Sequence, residues 1–174
     1  EQLAARFRIF RQHGMEPRYH HQFIGGNFRL DEIQAAILNV KLPSLDGWST
    51  ARRGIAEFYR QNLNDPTLAA AISFQSEPFR EHGGNHHIYH QFVIRAQRRD
   101  QLKEFLRTRQ IGTAILYPVP IHLQPAYRNR TAISGTLPVT EKAAREILCL
   151  QIHPWLEDAE VERVCDVIIE WSNA

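Results

Sequence analysis

Lysine is nearly missing from this chain: Lys41, Lys103 and Lys142 stand against 18 arginines. The basic residues are interspersed with acids and the formal net charge is only +2, so nothing marks a nucleic-acid-binding surface. Cysteine is scarcer still. Cys149 and Cys165 are far apart, in segments of helical pattern and without a CxxC pair, which argues against a disulfide scaffold or a zinc site and for reduced packing cysteines. No apolar run reaches the ~20 residues that a membrane helix needs, and the start, EQLAARFRIF, lacks a signal-peptide pattern. We therefore expect a cytoplasmic protein with no membrane partner. Internal repeats and low-complexity tracts are also missing. The remainder is 174 residues with 43% hydrophobic content, enough for one ordinary core.

The chain is organised around residues 25–48, where a glycine pair runs into the longest apolar-periodic segment. Gly25 and Gly26 permit a sharp turn that presents bare amides, and Asn27 is placed to cap the helix after it. Leu30, Ile33, Ile37 and Val40 then recur at helical spacing, predicting an amphipathic helix with Asp31 and Glu32 in its first turn. A glycine loop opening onto a helix start can hold an anion. A simple loop, cap and helix explains the same residues. Pro43 predicts a kink or restart, after which Leu45, Trp48, Ile55, Phe58, Tyr59 and Leu63 continue the helical pattern.

Before this stretch, Leu3, Phe7 and Phe10 suggest a short helix stopped near Gly14. After it, AISFQ reads as a short strand, residues 78–84 as a loop and HIYHQFVIRA (87–96) as the clearest strand. His82, His86, His87 and His90 invite a metal site. An extended segment does not converge residues four apart, and no carboxylate or cysteine completes a set, so we expect no metal and give Tyr89 and His90 a packing or pocket-edge role. Residues 99–110 predict a helix with Leu102, Phe105 and Leu106 inward, and IGTAILY (111–117) a returning strand. Strand, helix, strand suggests a right-handed crossover in a small α/β sandwich. Pro118 and Pro120 end that strand and deliver residues 121–127 as a rigid loop or short helix. A helix capped by Thr136 or Thr140, with Ala143, Ala144, Ile147 and Leu148 as its packing face, precedes a last helix opening at Asp158.

The run GGNFRLDEIQAAIL, with KLPSLDGW, Arg52-Arg53 and Ile55-Ala56 after it, resembles the segment that comes after the cofactor lysine in pyridoxal-phosphate (PLP) dependent nucleotide-sugar aminotransferases, the DegT/StrS family. YPVPIHLQPAY (117–127) resembles the substrate-side segment of members that aminate 3-keto nucleotide sugars. The resemblance implies an α/β fold, the C-terminal portion of a fold-type-I PLP transferase: residues 1–29 as the tail of the large cofactor domain, residues 30–174 as a long linking helix plus a small C-terminal α/β domain. It implies that Asn27 and Arg29 bind PLP, with Asn27 reaching the phosphate of the partner's cofactor in a homodimer. Tyr117, His122, Gln124 and Tyr127 are implied to bind the nucleotide sugar, although Tyr127 reads equally well as a buried anchor. An amino-acid donor, glutamate, completes the implied reaction. Members are about twice this length, and none of the three lysines matches the Schiff-base position, so no catalytic residue is assigned and a piece inactive by itself is expected. Leu116 stands where the family usually has histidine, and Cys149 and Gln151 where serine and proline are usual. A sugar dehydratase with histidine in place of the lysine, or a non-catalytic sugar-nucleotide sensor, are the other expectations.

Overall fold

The structure, a computed structural model, describes residues 1–77, 87–127 and 136–173. It divides into two compact units, Glu1–Leu45 and Asp46–Ala174.

The first unit holds helices α1 (Gln2–Phe10) and α2 (Glu32–Lys41), followed by a 3-10 turn over Leu42–Ser44 where Pro43 interrupts the pattern. Between the helices the chain doubles back on itself. His13 donates its amide to Gly26 O at 3.0 Å, Gly26 to Phe10 O at 3.1 Å and Phe28 to Arg11 O at 3.0 Å. This corrects the reading of the glycine loop. The Gly26 amide is committed to Phe10, and α2 begins at Glu32, well past the glycines, with Asp31 as its N-cap residue and no side-chain cap bond. Asp31 at the cap and Glu32 in the first turn already complement the positive end of the helix dipole, so the start of α2 itself offers no anion site. What the glycines supply is clearance: a Cβ on Gly25 would lie 2.5 Å from Gly14 N and 2.6 Å from Phe10 O. The stripe of α2 is present as predicted, yet no residue of α2 is buried; Ile33 is 77% and Val40 80% exposed.

In the second unit, α3 (Leu45–Asn62) buries Ile55, Ala56 and Tyr59 on one face. Strands β1 (Ile72–Phe74), β2 (Phe92–Ala96) and β3 (Ile147–Leu150) form one antiparallel sheet in the order β1-β2-β3. Along β2, Phe92, Ile94 and Ala96 are buried while Val93 and Arg95 are half-buried, the two-residue period of a strand with one fully covered face. Helices α4 (Arg99–Thr108) and α6 (Asp158–Ser172) contribute Leu102, Leu106, Val161, Val164 and Ile168 to the same core. Each such side chain, fully buried, stabilises by roughly 1.5–3 kcal/mol. The ring of Tyr59 stacks on Phe92 at 4.9 Å and its hydroxyl donates to Gln151 O at 3.0 Å. Arg52 Nη1 bridges the carbonyls of Tyr89 and Ile152, each at 3.1 Å.

Five expectations fail for physical reasons. Residues 111–117 form no strand: Ile111 gives its amide to Leu106 O at the end of α4, and Ala114 alone bridges to Cys149. The third strand comes instead from residues expected to continue the helix α5 (Pro138–Glu146). Pairing Leu148 with Ile94 and Leu150 with Phe92 buries both leucines, which outweighs another helical turn. Every pairing in the sheet is antiparallel, so no crossover exists there. Neither threonine caps α5; Leu137 is the N-cap residue and Pro138 opens the helix. Lastly, β2 starts only at Phe92, because Tyr89 adopts φ +46° and gives its amide to His87 Nδ1 at 2.8 Å. Tyr89 packs in the core, and His90 is exposed. His82, His86 and the loop expected at 78–84 fall outside the described residues, among which no cluster of three metal-ligating side chains occurs.

Cys149 in β3, not in a helix, and Cys165 in α6 are both free and buried. Burial, aided by nearby Asp166, pushes the Cys165 thiol up to about 12, which keeps it protonated at neutral pH.

Two glycine substitutions should behave oppositely. Gly54→Ala places a methyl group in open space on an exposed helix position and should stabilise the second unit by about 0.5–1 kcal/mol, read as a higher denaturation midpoint. Gly25→Ala should strip the His13 and Gly26 amides of hydrogen-exchange protection, at a cost of about 1–3 kcal/mol. Unchanged protection there would mean that the two chain segments do not approach so closely.

Candidate functional site

The segment after residue 116 is stiffened by Pro118 and Pro120 and then winds into two single 3-10 turns, Ile121–Leu123 and Pro125–Tyr127. Leu123 donates to Pro120 O at 3.0 Å and Tyr127 to Gln124 O at 3.0 Å, so this stretch satisfies its backbone within itself. It thereby forms one wall of a groove of about 890 Å3, with the opposite wall built by Leu137, Thr140, Ala143 and Ala144 of α5 and its lead-in, and by Ile147. That volume lies within the ~300–1,000 Å3 common for small-molecule clefts.

Tyr117, His122, Gln124 and Tyr127 all line this groove. Tyr117 is 72% and Tyr127 49% exposed, so Tyr127 is not a buried anchor and both rings offer a face and a hydroxyl to a ligand. Gln124 Nε2 donates to Val119 O at 3.2 Å, bracing the first turn. The side chain of His122 is only 10% exposed, and its Nε2–H donates to Glu141 Oε1 at 3.2 Å. That bond to the imidazole holds the Glu141 carboxyl below the usual carboxylate range, despite some opposing desolvation. The groove thus combines an apolar floor with a few directed polar groups, a surface suited to a ligand with both rings and hydroxyls.

Thr140 and Glu141 were not assigned to the site by sequence reasoning. Glu141 is 19 residues from His122, and no spacing rule links a 3-10 turn to a later helix. Thr140, expected as a cap, instead lies inside α5 and faces the groove.

Asn27 and Arg29 belong to the first unit. Asn27 pairs with Gln12 in an isolated antiparallel bridge and does not cap α2. Arg29 Nε donates to Asn27 Oδ1 at 2.9 Å. Both side chains are exposed.

Because the folded-state value of Glu141 is depressed, its pairing with His122 contributes above the ordinary carboxylate value of about 4.3 and is lost as pH falls through the folded value. His122→Ala should therefore move the Glu141 titration upward, toward the ordinary value, as followed by carboxyl 13C chemical shifts. A titration unmoved by the substitution would remove His122 as the cause.

The sequence profile of the DegT/DnrJ/EryC1/StrS aminotransferase family matches residues 1–169. A relative named pleiotropic regulatory protein, from Geobacillus stearothermophilus, is 40% identical over 98% of this chain and 45% of its own length. The dTDP-3-amino-3,4,6-trideoxy-alpha-D-glucose transaminase of Streptomyces venezuelae is 38% identical over 99% of this chain and 44% of its own. The crystal structure of S. venezuelae DesV in complex with a ketimine intermediate superposes with a TM-score of 0.83 at 37% identity, covering 99% of this chain and 45% of that one. This chain therefore spans less than half the length of these relatives. Its mixed helix-and-sheet structure is accordingly a partial α/β fold of the PLP aminotransferase kind. With a profile match across nearly its whole length, the chain belongs to the DegT/DnrJ/EryC1/StrS aminotransferase family, whose members depend on PLP.

Proposed function

We propose that the intact protein is a PLP-dependent aminotransferase that moves an amino group from glutamate onto a 3-keto nucleotide-linked sugar in the cytoplasm. The observation that carries this reading is the convergence of Tyr117, His122, Gln124 and Tyr127 on one groove. The transaminase name of the Streptomyces relative supports the substrate class. In this reading residues 1–29 are the tail of the cofactor domain, residues 30–174 are the linking helix and small domain, and the Schiff-base lysine lies outside this chain.

The residues present fit a phosphate group. Arg29 occupies Asn27 Oδ1, so the Asn27 carboxamide offers its NH2 as donor, and the guanidinium retains further N–H groups beside it. We assign the PLP phosphate to this pair. When bound, PLP supplies the electron sink for amino transfer. The chain's own part is to bind and orient: Asn27 and Arg29 hold the phosphate, while the tyrosine rings, His122 and Gln124 fix the sugar nucleotide and shield it from water. The uncovered apolar stripe of α2, Leu30, Ile33, Ile37 and Val40, supports burial in a homodimer in which Asn27 serves the partner's cofactor. A regulatory relative favours one second reading, a sugar-nucleotide sensor without turnover.

Adding glutamate to the intact, PLP-loaded protein should bleach the cofactor's visible band; an unchanged spectrum would favour the sensor. Asn27→Ala should weaken PLP retention by about 10- to 100-fold, the loss expected for a hydrogen bond to a charged group, measured by cofactor titration. The 174-residue chain alone should show no transaminase turnover, and measurable turnover by it would refute the placement of the lysine elsewhere.

A further inference from the structure

Four polar side chains from residues 117–127 reach the groove, but only His122 is anchored by a carboxylate from the opposite wall. An imidazole has two ring nitrogens with different roles, and a neutral ring carries its proton on one of them. A free histidine interconverts between the two forms, so a ligand hydroxyl that needs an acceptor meets the right form only part of the time. A carboxylate is an acceptor only when ionised. Glu141, held in its ionised form below the usual carboxylate range, therefore selects the ring form with its proton on Nε2. Nδ1 is then the nitrogen left as an acceptor.

We propose that Glu141 is a positioning residue: from the first turn of α5 it fixes His122 in its Nε2-protonated form, so that Nδ1 is presented to a hydroxyl of the bound ligand. This inference rests on the reading of the groove as the sugar-nucleotide site. The fold is suited to the task. α5 is pinned at its far end by β3, which takes over directly after Glu146, and Arg95 of β2 bonds Glu146 through Nε at 3.0 Å. The chain bearing His122 is set by its own turns. Each partner thus has its own backbone support, and the two side chains meet at 3.2 Å. Ala143 and Ala144, small residues that follow Glu141 on α5, line the same groove as His122.

The test uses the intact protein labelled with [15N]histidine, with a His122→Gln sample to identify the signal. Long-range proton–nitrogen correlations should show the wild-type ring protonated on Nε2. Glu141→Ala should give a mixture of ring forms and raise the Kd for dTDP-glucose by about three- to tenfold, the worth of one hydrogen bond. Glu141→Gln is the discriminating variant, since its amide oxygen still accepts from Nε2–H while its charge is gone; it should restore the ring form and most of the affinity. A purely structural role for Glu141 would alter unfolding temperature without changing the ring form. An unchanged ring form in Glu141→Ala overturns the proposal, as does a changed ring form with unchanged Kd. If the wild-type protein has the Nε2-protonated ring but fails to bind dTDP-glucose, the groove reading fails, and the ligand half of this proposal with it, while the anchoring by Glu141 stands.

Discussion

Strand β2 is paired on both edges, and most of the second unit is arranged by that fact. Its five residues have β1 on one side and β3 on the other, with Phe92, Ile94 and Ala96 pressed into the helical core. A central strand cannot leave its amides unpaired inside a protein. Residues 147–150 are recruited to satisfy one edge, and this recruitment stops α5 at Glu146. Where α5 stops decides where its first turns lie, and those turns carry Thr140 to the groove and Glu141 to His122. The groove is therefore a consequence of sheet pairing. Its polar groups are local additions to a wall that the backbone had already placed.

The first unit obeys a different constraint, the close passage of two chain segments. Gly25 lies against the backbone of Phe10, His13 and Gly14, where no Cβ fits, and Gly14 adopts φ +70°. Backbone bonds between residues 10–14 and 22–28 then lock the loop. Rigid backbone on both sides presents Asn27 and Arg29 at the surface as a bonded pair. α2, meanwhile, keeps an apolar stripe that this chain leaves uncovered, in accord with its spanning less than half the length of its relatives.

Several polar side chains of the second unit bond to the backbone of irregular segments. Arg52 bridges two loop carbonyls, Tyr59 reaches Gln151, and Gln124 braces its own turn. These bonds hold irregular segments to the core without burying an unpaired charge. His122 and Glu141 differ from them, since both partners are side chains and one faces a cleft of about 890 Å3.

Much of this protein was legible from local pattern. Helical spacing marked α2, α3, α4 and α6, because a helix buries or presents residues at intervals that its own geometry dictates. The two motifs identified the family, and YPVPIHLQPAY named four residues that line one groove, because prolines and turn residues shape a short stretch from within. Local pattern failed where distant chain competed. ILCL could extend a helix or fill a sheet edge, and only the vacant edge of β2 decided for the sheet. IGTAILY has strand composition, yet the chain spends its Ile111 amide on α4 and bridges β3 at Ala114 alone. The contact between His122 and Glu141 was equally beyond the sequence, since two residues on separate elements meet only after both elements have been packed. Periodicity determined most of the helices, and two motifs determined the family to which the chain is related. Tertiary pairing, which satisfies backbone groups that no local pattern reports, determined which side chains face each other across the groove.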